Sequence, residues 1–208
     1  YAEDPTKLSA DELLYAATLV DDNAKKEEIY KKTAELYDRD YRAYNNLASL
    51  SLAKGEKDAA ASYIEKALRI DSNAAEAYAN RGLIYLINGN VAEAETDIAK
   101  AAGSENVSYA LGVLNIAKGN YAQAEKDFGD VNTNSAALAQ ILNKNYAAAA
   151  ATLDKVPAQN GMTAYLHAIV AARQANKFAT SSYLKEALQK DPSLKAYADN
   201  DLELSILK

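Results

Sequence analysis

Few side chains in this sequence could carry out catalysis. His167 is the only histidine, and the chain has no cysteine. A histidine acts as a general base only when a nucleophile and an orienting acid lie within hydrogen-bond reach. The residues around His167 offer neither, so we interpret it as a packed, half-buried side chain.

Two acidic clusters could be mistaken for metal sites. Asp21-Asp22-Asn23 and Asp199-Asn200-Asp201 resemble the start of an oxygen-ligand loop for Ca²⁺. Neither has the spaced acidic residues and the final Glu of a calcium loop, so we expect helix ends with Asx turns. Zinc sites need more Cys and His than the chain has, and isolated glycines cannot form a phosphate cradle. We therefore predict no enzyme activity, no cofactor and no metal.

Composition narrows the choice of partner. The 208 residues are 49% apolar and carry a formal charge of −6. An acidic chain gains nothing electrostatically from nucleic acid or an anionic membrane. No apolar run approaches the roughly 18 residues of a membrane-spanning helix. The start, Tyr1 to Pro5, lacks a Met, and we interpret the chain as a processed or excised piece of a longer protein.

A pattern of aromatic, small and turn residues recurs with a fixed spacing between residues 41 and 101. Each member of the first copy is found again 34 residues later. The matched pairs are Tyr44 and Tyr78, Gly55 and Gly89, Ala60 and Ala94, and Ile64 and Ile98. A period of this length predicts stacked helical hairpins.

This pattern resembles the tetratricopeptide repeat, which has the same period. The resemblance implies an all-α fold, a right-handed α-α superhelix (solenoid) of about six antiparallel helix hairpins plus a C-terminal capping helix. Later copies are compressed, since Gly119 follows Gly89 by 30 residues and Tyr146 follows Tyr121 by 25. We predict one domain, 1–208, with hairpins at approximately 7–40, 41–74, 75–104, 105–131, 132–157 and 160–192 and the capping helix at 193–208.

A narrower resemblance lies in four stretches, 12–32, 136–143, 168–177 and 191–203. In this order they resemble the helical-repeat region of bacterial cell-envelope proteins that also carry an outer-membrane-protein-A-like, peptidoglycan-binding domain. The resemblance implies a protein that is periplasmic or associated with the outer membrane, while a cytoplasmic location stays open. The peptidoglycan-binding domain itself is not in these residues.

The first helix of each hairpin in such repeats presents one stripe of residues to the concave surface, where ligands usually lie. We call this the first-helix stripe. It is polar in the first two hairpins and apolar from the third onward. The candidate partner-binding residues are Tyr15, Asn45, Ser49, Leu83, Leu86, Tyr109, Val113, Ile116, Leu138 and Tyr165.

Two functions follow from this stripe. If it is exposed, its apolar surface predicts a scaffold that binds a protein or peptide there. If the compressed repeats close the stripe on itself, the chain is a structural spacer that positions a neighbouring peptidoglycan-binding domain. Asn45, Asn46 and Asn80 could contribute to a carboxylate clamp, but Arg42 is the only nearby cation, so we expect no clamp. The sequence leaves the oligomeric state open.

Overall fold

The computed structural model describes residues 4–207, which contain α-helices and 3₁₀ turns and no strand. The chain divides into two compact units, Tyr1–Ala110 (unit 1) and Leu111–Lys208 (unit 2). The predicted all-α fold of paired helices is confirmed. The prediction of a single domain over 1–208 stays a prediction.

Unit 1 begins with a 3₁₀ turn at Pro5–Lys7 and continues as helices that pack in consecutive pairs, α1 with α2, α3 with α4 and α5 with α6. Their bounds are α1 Ala10–Thr18, α2 Asn23–Leu36, α3 Tyr41–Ala53, α4 Lys57–Ile70, α5 Ala75–Ile87 and α6 Val91–Lys100. A capping box begins α1, since Ser9 Oγ accepts a hydrogen bond from the Glu12 N–H and Glu12 Oε2 accepts one from the Ser9 N–H. Helix α7, Val107–Ala117, runs across the division between the units.

Unit 2 continues with shorter helices and ends in an irregular stretch. Its helices are α8 Tyr121–Phe128, α9 Asn134–Leu142, α10 Tyr146–Asp154, α11 Gly161–Arg173 and α12 Lys177–Lys190. Helix α9 packs on α10, and α11 packs on α12. The final stretch, which we call the C-terminal segment, consists of a 3₁₀ turn Pro192–Leu194, α13 Lys195–Asn200 and a 3₁₀ stretch Leu202–Leu207. It packs on α11 and α12.

The helices of a hairpin approach closely because a residue without a large side chain lies at the crossing. A Cβ atom added at Gly82 of α5 would lie 2.6 Å from Cγ1 of Ile98 in α6. A Cβ atom at Gly112 of α7 would lie 2.7 Å from Cζ of Phe128 in α8. In the preceding repeat Ala48 stands where Gly82 does, and it is fully buried.

Five turns share one backbone geometry, those of α3–α4, α5–α6, α7–α8, α9–α10 and α11–α12, whereas the α1–α2 turn does not have it. One residue adopts a left-handed conformation, and the next residue donates its N–H to the carbonyl five positions back, as in a Schellman turn. Glycine holds the left-handed position at Gly55, Gly89 and Gly119, but Lys144 and Ala175 hold it at φ 64° and 59°. A residue with a Cβ atom is strained there.

The third hairpin replaces an apolar pair with an ion pair. Leu47 and Tyr63 belong to one apolar cluster in the second hairpin, and 34 residues later Arg81 and Asp97 take their places. Arg81 donates to both carboxylate oxygens of Asp97, at 2.5 and 2.9 Å, and Asp97 is 3% exposed. Burial of this carboxylate is tolerated because both of its oxygens are paired.

We expect Ala175→Gly to stabilise unit 2. Relief of the left-handed strain, about 1–2 kcal/mol, exceeds the added chain entropy of glycine, about 0.5–1 kcal/mol, so the net gain should be about 0.5–1 kcal/mol. Urea unfolding followed by circular dichroism measures it. Gly119→Ala at the matching turn should lower the stability by a comparable amount, and a loss of stability from both substitutions would contradict the assigned turn geometry.

We expect Asp97→Ala to destabilise unit 1 by about 3–5 kcal/mol, because Arg81 loses its buried partner. The double variant Arg81→Leu/Asp97→Tyr copies the apolar pair of the preceding repeat. It should return to within about 1 kcal/mol of the parent, because a well-packed apolar pair replaces a buried ion pair at little or no cost. Chemical unfolding of the parent and both variants tests this, and a double variant as unstable as the single one would refute it.

Candidate binding face

In unit 1 the first-helix stripe is polar at the start of the first helices and apolar at their ends. Near the helix starts, Arg42 Nη2 lies 2.7 Å from Asp11 Oδ1 and also pairs with Asp40. The Tyr41 hydroxyl donates to Glu76 Oε2 at 3.2 Å. Hydrogen bonds to Asp40 and Asp11 raise the pKa of the Arg42 guanidinium. Arg42 is thus paired with two carboxylates of the chain itself.

The middle of the stripe in unit 1 is a hydrogen-bonded set of side chains that joins α3 to α5. Asn80 Nδ2 donates to Asn45 Oδ1 at 2.8 Å and to Ser49 Oγ at 3.0 Å. Asn45 and Asn80 are 5% and 3% exposed, and Ser49 is half-buried. Asn45 therefore contributes mainly to packing between neighbouring hairpins, and Ser49 keeps a solvent-facing side.

The ends of the first helices carry the exposed apolar side chains of unit 1. Among the candidates, Tyr15 is 64% exposed, and Leu83 and Leu86 are half-buried. Two further residues, Leu19 and Ile87, are 69% and 59% exposed. Each lies four residues after a candidate, Tyr15 or Leu83, and therefore on the same helix face. The four-residue spacing is the signal that could have identified Leu19 and Ile87, whereas the candidates on α5 continue from Leu83 to Leu86 by a spacing of three.

Tyr109, on α7, is the last candidate within unit 1. It is 36% exposed and has interactions within the protein. It therefore has less open surface than Tyr15 at the start of the stripe.

In unit 2 the stripe is largely packed. Val113 and Ile116 pack against the apolar cluster around Phe128, and Leu138 packs against the cluster that contains Ile141. Tyr165 is 7% exposed and its hydroxyl donates to Asp201 Oδ2 at 2.5 Å. Burial, and then this hydrogen bond, raise the pKa of the Tyr165 hydroxyl. The C-terminal segment thus covers the part of the stripe that α11 carries.

His167 is packed among neighbouring side chains of unit 2. Its ring stacks on Tyr183 with centroids 4.8 Å apart, and its Nε2 is 3.4 Å from Asp154 Oδ1. The side chain is buried, more deeply than the half-burial we expected. Burial lowers the pKa of His167 and outweighs the opposing effect of Asp154 and Glu186. A charged His167–Asp154 pair is therefore not the main state near neutral pH.

Within residues 4–207 no group of three or more His, Asp or Glu side chains is placed to hold a metal ion. In the same part of the chain, no helix has the length and apolar character needed to cross a membrane.

The buried His167 should make the stability of unit 2 depend on pH. The pKa of His167 in the folded state lies below the unfolded value of about 6.5. As the pH falls through 6.5, His167 therefore becomes protonated in the unfolded chain while it stays neutral in the folded chain. The contribution of His167 to the free energy of unfolding should be fully present above pH 6.5. It should decrease as the pH drops below 6.5, by at most about 1.4 kcal/mol per pH unit. His167→Phe, which keeps the stacked ring, should flatten this slope in urea unfolding between pH 7 and 5.

Carboxylate groups titrate in the same way in the parent and in His167→Phe, so their effect on the pH dependence cancels when the two proteins are compared. Equal slopes for the two proteins would show that His167 does not titrate differently on unfolding.

Two family models match the middle part of unit 1. Residues 41–73 and residues 63–96 each match a family model described as tetratricopeptide repeat. No curated protein matches the chain by sequence.

Solved structures extend the likeness in fold to the rest of the chain. A tetratricopeptide repeat protein from Parabacteroides merdae ATCC 43184 matches with a TM-score of 0.59 at 19% identity, over 95% of this chain and 83% of that one. PilW, a widely conserved type IV pilus biogenesis factor, matches with a TM-score of 0.55 at 16% identity, over 94% and 96% of the two chains.

The APC/C hetero-tetramer Cut9-Hcn1 matches with a TM-score of 0.65 at 18% identity, over 100% of this chain and 44% of that one. The chain thus spans less than half the length of that relative. At these identities the likeness concerns the fold alone. Residues 41–96 thus match models of the tetratricopeptide repeat, and the all-α chain as a whole is similar in fold to a protein of such repeats.

Proposed function

We propose that this chain is a non-catalytic scaffold that binds a protein or a peptide through the first-helix stripe of unit 1. Tetratricopeptide-repeat proteins are in general protein-interaction scaffolds, so the class of function follows from the repeats. The choice of face rests on one observation. The helix ends of unit 1 present Tyr15, Leu19 and Ile87 with more than half of each side chain exposed.

The chemistry of this face favours a segment with large apolar side chains. Leu83, Leu86 and Ile87 form an apolar edge on α5, while the Asn80–Asn45 hydrogen bond holds α3 and α5 in register below it. A partner that buries the exposed part of these side chains gains about 25 cal/mol per Å² of apolar surface. The rigid hydrogen-bonded base limits the entropy lost on binding.

We further propose, on the resemblance to envelope proteins, that the chain works in the periplasm or at the outer membrane. The alternative function is that of a spacer for a neighbouring peptidoglycan-binding domain. The covered Tyr165 and the buried Asn45 favour this alternative, because they are parts of the stripe that a partner cannot reach easily.

A binding experiment with charge placed on the stripe decides between scaffold and spacer. The variant Leu83→Asp/Ile87→Asp should lose a partner that the parent retains from a bacterial envelope extract, since each carboxylate would have to be desolvated at the interface. The matched control Thr96→Asp/Ala99→Asp places two carboxylates on exposed positions of α6 and should retain the partner. Circular dichroism melting must first show that all three proteins are folded.

If the parent, the stripe variant and the control capture the same proteins in equal amounts, the stripe of unit 1 is not the binding face. If none of them captures a specific partner, the spacer function is supported instead.

A further inference from the structure

The exposed face of α1 passes from a carboxylate to apolar side chains. Asp11, Tyr15 and Leu19 follow one another at intervals of four residues, so they lie on one face of the helix. The Asp11 side chain is 80% exposed, and Tyr15 and Leu19 are 64% and 69% exposed. All three are therefore open to a partner that lies against this face.

Helix α5 repeats this arrangement. Glu76 lies in its first turn, and Leu83 follows seven residues later on the same face. Ile87 comes four residues after Leu83 and is 59% exposed. Glu76 accepts a hydrogen bond from the Tyr41 hydroxyl, and burial raises the pKa of this hydroxyl, so it stays neutral. This partner therefore does not balance the negative charge of Glu76.

Arg42 does not neutralise the helix starts. It pairs with Asp11 and with Asp40, and its neighbour Tyr41 links Glu76 to the same contacts. In this set three carboxylates face one guanidinium, which leaves an excess of negative charge. Asp40 alone receives hydrogen bonds from Arg42 Nε at 3.0 Å and from Arg42 Nη2 at 2.6 Å. Asp11 can therefore pair with a cation of a partner while Arg42 stays paired with Asp40.

The charge of unit 1 as a whole has the same sign. Residues 1–110 contain thirteen Lys and Arg against twenty Asp and Glu, a formal charge of −7. Residues 111–208 contain ten against nine, a formal charge of +1. A cationic segment is thus attracted to unit 1, and the carboxylates at the helix starts determine which of its sides lies there.

The distance between the two ends of the stripe fits the width of a helix. An α-helix rises about 1.5 Å per residue, so Leu19 lies about 12 Å beyond Asp11 along α1, and Leu83 lies about 10 Å beyond Glu76 along α5. The diameter of an α-helix with its side chains is about 10–12 Å. A helix that lies across the first helices can therefore contact the carboxylates with one side and the apolar ends with the other.

We propose that the partner of the first-helix stripe of unit 1 is a basic amphipathic helix. It lies across the first helices, with Lys or Arg side chains toward Asp11 and Glu76 and large apolar side chains toward Leu19 and Ile87. This inference rests on the proposed binding face and adds the chemistry and orientation of what that face binds. An acidic helix of the same apolar content would place like charges against the helix starts and bind more weakly.

Three synthetic peptides test the charge of the partner. Each places Leu on one face of a helix, and the opposite face carries Lys in the first peptide, Gln in the second and Glu in the third. Fluorescence anisotropy with the full chain should show the tightest binding for the Lys peptide. The Gln peptide should bind about tenfold more weakly, because two exposed ion pairs are lost, and the Glu peptide should bind most weakly of the three.

Variants of the chain test where the charges meet. Asp11→Asn/Glu76→Gln should weaken binding of the Lys peptide about tenfold and leave binding of the Gln peptide unchanged. The matched control Glu65→Gln/Glu93→Gln removes the same charge from exposed positions of α4 and α6. It should weaken binding of the Lys peptide less than about twofold at physiological ionic strength, because distant exposed charges are screened.

Equal affinities for the Lys and Gln peptides would overturn the inference, and so would equal losses in the two double variants. If the Gln peptide binds the parent as tightly as the Lys peptide does, but not Leu83→Ser/Ile87→Ser, the binding face of unit 1 stands while its preference for a basic helix fails. If none of the three peptides binds, the basic helix is likewise excluded, and the extract experiment decides the proposed function by itself.

Discussion

The close approach of paired helices at one small residue is the constraint on which each hairpin depends. At Gly82 and Gly112 the opposing Ile98 and Phe128 side chains already occupy the space that a Cβ atom would need. The larger residue of each pair gains dispersion contacts on both sides only because its partner is small. Helix spacing, and with it the direction of every outward side chain, follows from these contacts.

Polar links between hairpins then fix how neighbouring helix pairs stack. Asn45, Ser49 and Asn80 join the first helices of two hairpins, and Lys54 joins a turn to Glu27 of the preceding hairpin. In unit 2, Asn143 and Asn145 donate to Glu125 in the same manner. The buried Asn80–Asn45 hydrogen bond adds little net stability but disfavours every other register, because an unpaired buried amide is costly.

Both units consist of paired helices, but the exposure of the first-helix stripe differs between them. In unit 1 apolar side chains remain exposed at the ends of the first helices, as Tyr15, Leu19 and Ile87 show. In unit 2 shorter helices and the C-terminal segment bring Val113, Leu138 and Tyr165 into packed clusters. A repeat fold can thus leave the first-helix stripe exposed in one part and cover it in another, because each hairpin contacts only its neighbours.

The sequence by itself determined the helical pairs between residues 41 and 101, because Gly55, Ala60 and Ile64 recur 34 residues later as Gly89, Ala94 and Ile98, and this period predicts stacked hairpins. It also determined the absence of a histidine or cysteine metal site, which is a matter of counting.

Only the tertiary structure decided which stripe residues are accessible. Asn45 and Tyr165 were indistinguishable in pattern from Ser49 and Leu83, yet they are buried. The reason is that burial of a first-helix residue depends on the rotation of the next hairpin, which long-range contacts such as Tyr165–Asp201 set and a periodic pattern does not record.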